Sequence, residues 1–176
     1  YTIDTDHQLE IAIIPNRGDA ISHMGVAREL QALTGEIYRK PIIERKDDRG
    51  QMRIDVSIEN AKATPRYSSI TITGVEVKES SEWLKKRLKS IDLKPINNIV
   101  DITNFIQHEI GQPLHVFDYS RISGRKIVAR YARPSEQLTT LVEEVRELTA
   151  THLLIADADK PLAYAVVLGG LDTAVQ

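Results

Sequence analysis

The sequence contains no cysteine, and this absence sets the first limits on the protein. Without cysteine there is no disulfide framework and no cysteine-ligated zinc or iron–sulfur centre. No apolar run reaches the length of a membrane-spanning helix, and no signal peptide precedes the first predicted strand. These absences suit a reducing compartment, so we predict a cytoplasmic location and no membrane contact.

The chain also lacks the excess of positive charge that most nucleic-acid-binding domains carry. Its formal net charge is −2 at pH 7, whereas a domain that binds RNA through phosphates is usually far more basic. Any RNA contact is therefore expected to be local, or to be made mainly by another part of the molecule. The common nucleotide-binding and hydrolase motifs are absent too, so the residues predict no ATP site here.

The size and composition are those of one globular domain. The chain has 176 residues, of which 41% are hydrophobic and 27% charged, enough to bury a sizeable core. It begins with Tyr1 rather than Met, and we expect it to be a piece of a longer polypeptide. We treat residues 1–176 as one module, truncated at both ends relative to a full subunit.

The hydrophobic pattern predicts more strands than helices. The predicted strands are Leu9–Ile14, Met52–Ile58, Ser69–Val77, Lys126–Ala132, Leu153–Ile155 and Ala163–Leu168. They do not alternate regularly with helices, which favours an α+β domain over a doubly wound parallel fold. We predict a largely antiparallel, barrel-like sheet with flanking helices, and a flexible link in the charged stretch at 44–50.

Two helices are predicted from apolar spacing and capping residues. One covers Ser22–Leu33 and ends before Gly35, a residue type common just beyond helix ends. The other follows Ser80 and Ser81, which can cap its first turn. Its residues at helical spacing, expected to face the core, are Leu84, Leu88 and Ile91.

A third predicted helix, between Pro95 and Gly111, has an unusual polar face. Its apolar stripe, expected to pack against a sheet, consists of Ile99, Ile102, Ile106 and Ile110. Its opposite side carries Asn97, Asp101, Asn104 and His108. Asparagine and aspartate are poor helix formers, so helical propensity does not account for them. Two interpretations stay open: a solvated face, or the lining of a pocket.

His115 and the pair Gly169-Gly170 have two interpretations each. His115, in G-Q-P-L-H-V-F-D, is either a half-buried structural histidine or an acid–base group, since its ordinary pKa lies near 6.5. No second histidine lies nearby at metal-ligand spacing, so no metal site is predicted. The two glycines form either a turn or a place where a ligand approaches the backbone closely.

Residues Pro95–Asp118 closely resemble a long signature of the bacterial phenylalanyl-tRNA synthetase β subunit. That signature is P-I-N-N-x-V-D-x-T-N-[YF]-x…E-x-G-Q-P-[LM]-H-x-F-D, and few proteins outside the family are expected to contain it. Leu9–Asp19, Gly25–Leu33 and Leu168–Gly170 match further segments of the family in the same order. The resemblance covers nearly the whole chain and implies the B3/B4 module, which holds the editing site in that family.

The resemblance implies a defined activity and defined partners. The parent enzyme is a ligase, an (αβ)₂ heterotetramer that joins phenylalanine to tRNA(Phe) with ATP and Mg²⁺; no cofactor is expected in this fragment. Its editing module hydrolyses Tyr-tRNA(Phe), because a mostly apolar synthetic pocket rejects an added hydroxyl only weakly. The implied partners are the α subunit, tRNA(Phe) and the tyrosine moiety of the substrate. The alternative is a non-catalytic scaffold or tRNA-positioning module of the same subunit.

The resemblance also assigns site residues. Asn104 and His115 are the implied catalytic residues, which would position the aminoacyl group and the attacking water. The implied substrate-binding residues are Thr103, Ala165, Val166 and Gly169. The remaining polar residues of the third helix, Asn97, Asp101 and His108, are assigned to caps and surface.

Three departures from the family pattern bear on activity. The family's pocket uses a glutamate in an L-E-x-A segment and residues of a T-x-A-S segment, and this chain stops at Gln176 before both. An Asp-Gly turn of the family is Val142-Glu143 here, and a family glycine is Val166. We therefore expect the isolated fragment to be inactive in deacylation.

Overall fold

The computed structural model describes residues 2–3, 6–44, 50, 52–141, 143–165 and 168–173, and the chain is divided between two units. The first unit combines Tyr1–Lys46 with Val77–Leu114, and the second combines Asp47–Glu76 with His115–Gln176. Each unit is thus built from two separate stretches of sequence. That residues 1–176 act as one module stays a prediction.

The first unit is mainly helical. Its elements are strands β1 (Thr2–Ile3) and β2 (Asp6–His7), a 3₁₀ helix (Gly18–Ala20), and helices α1 (His23–Thr34), α2 (Glu82–Lys89) and α3 (Asn98–Ile110). The two short strands pair antiparallel. Helix α3 packs against both α1 and α2, so helices rather than a sheet surround it within this unit.

The limits of α1 and α3 are those predicted from their caps. The Ser22 hydroxyl accepts a hydrogen bond of 2.9 Å from the backbone three residues on, and Asn97 caps α3 in the same manner. Both helices end on a glycine with positive φ, 75° at Gly35 and 79° at Gly111. These contacts involve neighbouring residues only, which is why the sequence predicts them well.

The burial of side chains on the two faces of α3 differs from the prediction. Asp101, assigned to caps and surface, is fully buried, and its carboxylate accepts hydrogen bonds from the Ser80 hydroxyl at 2.5 Å and from the Ile96 amide at 2.9 Å. The predicted apolar stripe is only partly covered, since Ile102 and Ile110 expose 45% and 44% of their surface. Within its own unit α3 packs on α1 and α2, and the packing of this stripe against a sheet stays a prediction.

The second unit contains the sheet. Its strands are β3 (Asp55–Ile58), β4 (Lys126–Tyr131), β5 (Gln137–Thr139), β6 (Val145–Glu147), β7 (Leu153–Ala156), β8 (Pro161–Tyr164) and β9 (Leu168–Gly169). Five of them form one sheet in the order β3-β4-β7-β8-β9, while β5 and β6 form a separate hairpin. Strand β3 is parallel to β4, and the other pairs are antiparallel.

The α+β class is confirmed, but the barrel-like sheet is wrong. Among the described residues the five-stranded sheet stays open, with β3 and β9 at its edges, and it is mixed, with β3–β4 parallel and the remaining pairs antiparallel, as a largely antiparallel sheet predicts. Closing a barrel requires the edge strands to pair, and β9 has only two residues. Alternation along single strands carries no information about such closure.

Several predicted strands are shorter or absent. Leu9–Ile14 and Ser69–Val77 lie outside the strands of the structure, and Leu9 and Ile70 expose 78% and 84% of their surface. Met52–Ile58 contracts to β3, and Ala163–Leu168 divides between β8 and β9, which form a hairpin. A segment with an alternating pattern forms a strand only where a partner strand pairs with it. The predicted charged link falls mostly on 45–49, outside the described residues.

The core of the second unit lies on the sheet, and a buried ion pair lies beside it. The main apolar cluster consists of Ile122, Ile127, Ala129, Ile155 and Ala163. Arg130, in the middle of β4, is only 2% exposed and binds both carboxylate oxygens of Glu136, at 2.8 and 2.6 Å. The segment after β4 therefore turns back toward the strand, which places the Glu136 carboxylate against the buried Arg130 guanidinium.

The turn between β5 and β6 contains a strained residue. Glu143 has φ of 61°, a conformation in which a Cβ atom costs about 1–2 kcal/mol, and its amide donates to Thr140 at 2.9 Å. We expect Glu143→Gly to raise the free energy of unfolding by about 1 kcal/mol, as measured by urea denaturation. Glu143→Ala, which keeps the Cβ, is the control; an equal gain there would show that φ is not the cause.

Candidate functional site

The structure places the predicted site residues in both units. His115, Ala165 and Gly169 belong to the second unit, whereas Thr103 and Asn104 lie on α3 of the first. Val166 lies outside the described residues. The contacts of each residue are therefore described within its own unit.

His115 and Gly169 lie directly against each other. A Cβ built on Gly169 would fall 2.5 Å from Cε1 and 3.0 Å from Nε2 of His115, and 3.1 Å from Leu141 Cδ1. A side chain larger than hydrogen would displace the imidazole. Phe117 contacts the same ring edge-on, with ring centroids 4.6 Å apart. The structure thus brings together His115, an implied catalytic residue, and Gly169, an implied substrate-binding residue.

Local structure explains how both residues are positioned. Gly111 ends α3 and Pro113 prevents its continuation, and His115, four residues after Gly111, begins the later stretch of the second unit. Gly169 lies in β9, opposite Ala163 of β8, and its carbonyl accepts a hydrogen bond of 3.1 Å from the Leu141 amide. The glycine is buried and held from two sides, whereas the histidine lies at the surface.

The environment of His115 favours the neutral imidazole. Its outer side is exposed, but Gly169 and Phe117 cover the ring closely enough that loss of solvent lowers the pKa of His115 below its ordinary 6.5. No hydrogen bond to the ring comes from the residues that the structure describes. A neutral imidazole with an uncommitted nitrogen can accept a proton from water near pH 7.

The other predicted site residues differ in their polar contacts. The Thr103 hydroxyl donates to the carbonyl of Val100 in its own helix at 2.7 Å. The Asn104 side chain is half-buried, and within the described part of the chain no hydrogen bond engages its amide. Ala165 donates its backbone amide to Leu153 at 3.0 Å and packs on the sheet core. Of these three, Asn104 has the polar group most available to a ligand.

The structure gives a reason for glycine at position 170 that the sequence does not. A Cβ there would fall 2.4 Å from the Leu162 carbonyl oxygen and 2.9 Å from Leu138 Cδ1. Gly170 also donates its amide to that carbonyl at 2.8 Å. The two adjacent glycines therefore have different neighbours, a movable side chain at Gly169 and fixed backbone at Gly170.

This difference yields a matched pair of substitutions. We expect Gly170→Ala to lower the free energy of unfolding by about 1–3 kcal/mol, because the backbone must move to admit the methyl group. Gly169→Ala should cost less stability and instead displace the His115 ring, which NMR shifts of the imidazole would report. Urea denaturation of both variants measures the stabilities. A larger stability loss for Gly169→Ala would contradict the assignment.

Two features concern the described residues alone: clusters of metal-ligating side chains and long apolar helices. Within that part of the chain no group of three His, Asp or Glu side chains is arranged to hold a metal ion. The same residues contain no helix with the length and apolarity needed to cross a membrane.

Residues 63–176 match the family model of the B3/4 domain, and the chain belongs to that family. The chain is also 45% identical over 170 residues to the phenylalanine–tRNA ligase beta subunit of Carboxydothermus hydrogenoformans, covering 97% of this chain and 21% of that protein. The corresponding subunit of Aquifex aeolicus is 45% identical over 168 residues, covering 96% and 21%. That of Bacteroides thetaiotaomicron is 41% identical over 179 residues, covering 98% and 22%.

These comparisons confirm the resemblance inferred from Pro95–Asp118. The chain spans about a fifth of the length of the curated relatives it matches. The similarity extends beyond the family model to almost the whole chain, so it includes both structural units.

Proposed function

We propose that this chain is the editing part of a phenylalanine–tRNA ligase β subunit and that its site hydrolyses the ester of Tyr-tRNA(Phe). The observation that carries the proposal is the contact between His115 and Gly169, with a would-be Cβ only 2.5 Å from the ring. A base beside a glycine backbone provides a proton acceptor next to a position where a small substrate group can approach the backbone once the ring turns aside.

In the proposed reaction, His115 acts as the general base. Its neutral imidazole takes a proton from water while the water oxygen attacks the ester carbonyl. The carbon–oxygen bond to the terminal ribose then breaks, and the ribose oxygen receives the proton from the imidazolium. The products are tyrosine and tRNA(Phe), and a positioned base contributes a rate factor of about 10²–10⁴.

Substrate selection in the proposal depends on the tyrosine hydroxyl. A pocket that hydrogen-bonds this group loses much binding energy when phenylalanine leaves its polar partners unpaired. For Asn104, whose amide has no partner among the described residues, and for Thr103, the role in binding the aminoacyl group is proposed from the family resemblance alone. Ala165 and Gly169 would shape the wall, and Val166, at a position the family fills with glycine, would narrow it.

The proposal places the chain within a larger enzyme. The parent would form Phe-tRNA(Phe) in the cytoplasm with ATP and Mg²⁺, together with an α subunit. These properties belong to the whole enzyme, of which this chain represents about a fifth of one subunit by comparison with its relatives.

One observation favours the alternative of a non-catalytic scaffold or tRNA-positioning module. The His115 ring leaves no space above the Gly169 backbone, since even a methyl group would meet it at 2.5 Å. For catalysis the ring must swing away to admit an aminoacyl group. A scaffold requires no such movement.

The proposal is tested by two measurements. One is the hydrolysis of Tyr-tRNA(Phe) and Phe-tRNA(Phe), and the other is the binding of tyrosine and phenylalanine. A complete synthetase containing this sequence should release tyrosine from Tyr-tRNA(Phe) and leave Phe-tRNA(Phe) intact. NMR titration of the 176-residue chain with tyrosine should shift His115 and Gly169 more than titration with phenylalanine. Equal hydrolysis rates for the two esters, or no hydrolysis of either, would favour the scaffold.

A further inference from the structure

The second unit contains two histidines that pack against aromatic rings. The His115 and Phe117 rings meet edge-on, with centroids 4.6 Å apart and an interplanar angle of 61°. His152 and Tyr164 form a similar pair, with centroids 5.3 Å apart and an angle of 76°. Both pairs lie within the same unit, so each provides a reference for the other.

The two histidines differ in what holds the imidazole in its orientation. The Thr149 amide donates a hydrogen bond of 3.0 Å to Nδ1 of His152, which fixes that ring independently of Tyr164. Among the residues that the structure describes, none forms a hydrogen bond with the His115 ring. The orientation of His115 therefore depends on the groups packed against it.

Two of these groups are themselves anchored. Phe117 is half-buried and packs on the apolar cluster of the sheet, which includes Ile122 and Ile155. Gly169 is buried in β9, and a Cβ built on it would fall 2.5 Å from Cε1 of His115. The imidazole thus contacts an anchored aromatic ring and an anchored backbone, and both cover part of its surface.

Burial, and not a neighbouring charge, sets the protonation of His115. Three segments lie at the ring or at Gly169 beside it: the chain that follows His115, β9 with the residues after it, and the turn after β5. Their charged residues are Asp118, Arg121, Glu143, Glu144 and Asp172. Loss of solvent, rather than any of these charges, lowers the pKa of His115 below its ordinary 6.5. The group that excludes water from the ring therefore controls the charge of the base.

We propose that Phe117 is a positioning residue, whose ring holds the His115 imidazole against Gly169 and shields it from water in place of a hydrogen-bonding partner. A catalytic histidine is more often oriented by a hydrogen bond to one of its ring nitrogens. An edge-to-face contact leaves both nitrogens uncommitted, and it is weak enough for the ring to turn aside when an aminoacyl group enters. This role of Phe117 rests on the proposed function of His115 as a general base.

Removing the aromatic ring should impair the reaction more than substrate binding. In a complete synthetase, Phe117→Leu keeps an apolar side chain but lacks the flat ring, so we expect kcat for tyrosine release to fall about tenfold or more. KM for Tyr-tRNA(Phe) should change little, because the ring acts on the base rather than on the substrate. The acidic decline of the rate should move up toward about pH 6.5, since greater exposure raises the pKa of the imidazole. Phe117→Tyr, which keeps the ring, should retain most of the activity.

A double variant shows whether Phe117 acts through His115. His115→Ala removes the base, so adding Phe117→Leu should cause no further loss of tyrosine release. The matched control is Tyr164→Leu, which removes the ring from His152 while the hydrogen bond from Thr149 remains. It should leave kcat near the wild-type value. Thermal melts followed by circular dichroism verify folding of each variant, and Phe117→Met replaces the leucine variant if that one unfolds.

NMR titration of the 176-residue chain tests the same role without the reaction. The pKa of the His115 imidazole should rise toward about 6.5 in Phe117→Leu and stay lower in Phe117→Tyr. The inference would be overturned by an unchanged pKa or an unchanged kcat in Phe117→Leu, by a further loss in the His115→Ala background, or by an equal loss in Tyr164→Leu. A synthetase that does not hydrolyse Tyr-tRNA(Phe), while Phe117→Leu still raises the pKa of His115, would contradict the proposed function alone.

Discussion

Replacing His115 by alanine in a complete synthetase should slow hydrolysis of Tyr-tRNA(Phe) by about 10²-fold or more, the usual contribution of a general base. Aminoacylation with phenylalanine should stay unchanged, since the proposed role of His115 is confined to editing. The rates of tyrosine release and of Phe-tRNA(Phe) formation are measured on the same enzyme preparation.

The control is His108→Ala, which removes an exposed imidazole from α3 of the other unit. It should leave tyrosine release near the wild-type rate. Equal rates for His115→Ala and the wild type would remove His115 from the mechanism. A loss in the His108 variant of the same size would indicate that the effect is not specific to the site.

The pH dependence of editing gives a second readout of the same residue. The pKa of His115 is lowered by desolvation below its ordinary 6.5. The base form is therefore present at neutral pH, and the rate should decline only as the pH falls through a value below 6.5. This acidic decline should disappear from the residual activity of His115→Ala. A decline centred well above 6.5 would contradict the assignment.

Replacing Glu136 by alanine should lower the free energy of unfolding by about 3–5 kcal/mol. The change leaves the Arg130 guanidinium in β4 with 2% exposure and without its carboxylate partner. An uncompensated buried charge is far more costly than a lost surface contact. Urea denaturation of the chain measures the difference.

The matched control is Glu59→Ala, which breaks an exposed ion pair in the same unit. Glu59 lies 3.4 Å from Arg133, and the two side chains expose 52% and 60%, so its loss should cost less than about 1 kcal/mol. The double variant Arg130→Met, Glu136→Leu should recover much of the stability by packing apolar groups. Similar losses in Glu136→Ala and Glu59→Ala would contradict the role of burial.

Lowering the pH should reduce the stability that the ion pair between Arg130 and Glu136 contributes. The hydrogen bond from Arg130 lowers the pKa of Glu136 below its ordinary 4.5. Its stabilising contribution is present in full above the unfolded-state pKa and is lost as the pH falls through the lower folded-state value. Glu136→Gln should therefore flatten the decline of stability below about pH 4.5.

Local features of the fold could be predicted from the sequence, and features that join distant residues could not. Ser22, Gly35, Asn97 and Gly111 fix helix limits through contacts within a few residues. The strand predictions fail where pairing decides the outcome, as at Leu9–Ile14, because alternation does not specify a partner. Helical periodicity also misplaces Asp101, which is buried and whose carboxylate is bound by the Ser80 hydroxyl, 21 residues earlier.

The candidate site shows the same limit. Residue patterns left two interpretations of His115 open, and only the long family signature favoured an editing role. The contact of its ring with Gly169 joins residues far apart in sequence. The buried pair of Arg130 and Glu136 was missed altogether, because a charged residue within an alternating strand normally points to solvent.

The parallel pairing of β3 with β4 also has a consequence for synthesis on the ribosome. Its register aligns Asp55 with Lys126, about 70 residues later, and the chain between them contributes α2 and α3 to the other unit. At about 5–20 residues per second, several seconds pass before β3 has a partner. During that time the nascent segment keeps an unpaired strand edge, the kind of exposure that chaperones cover.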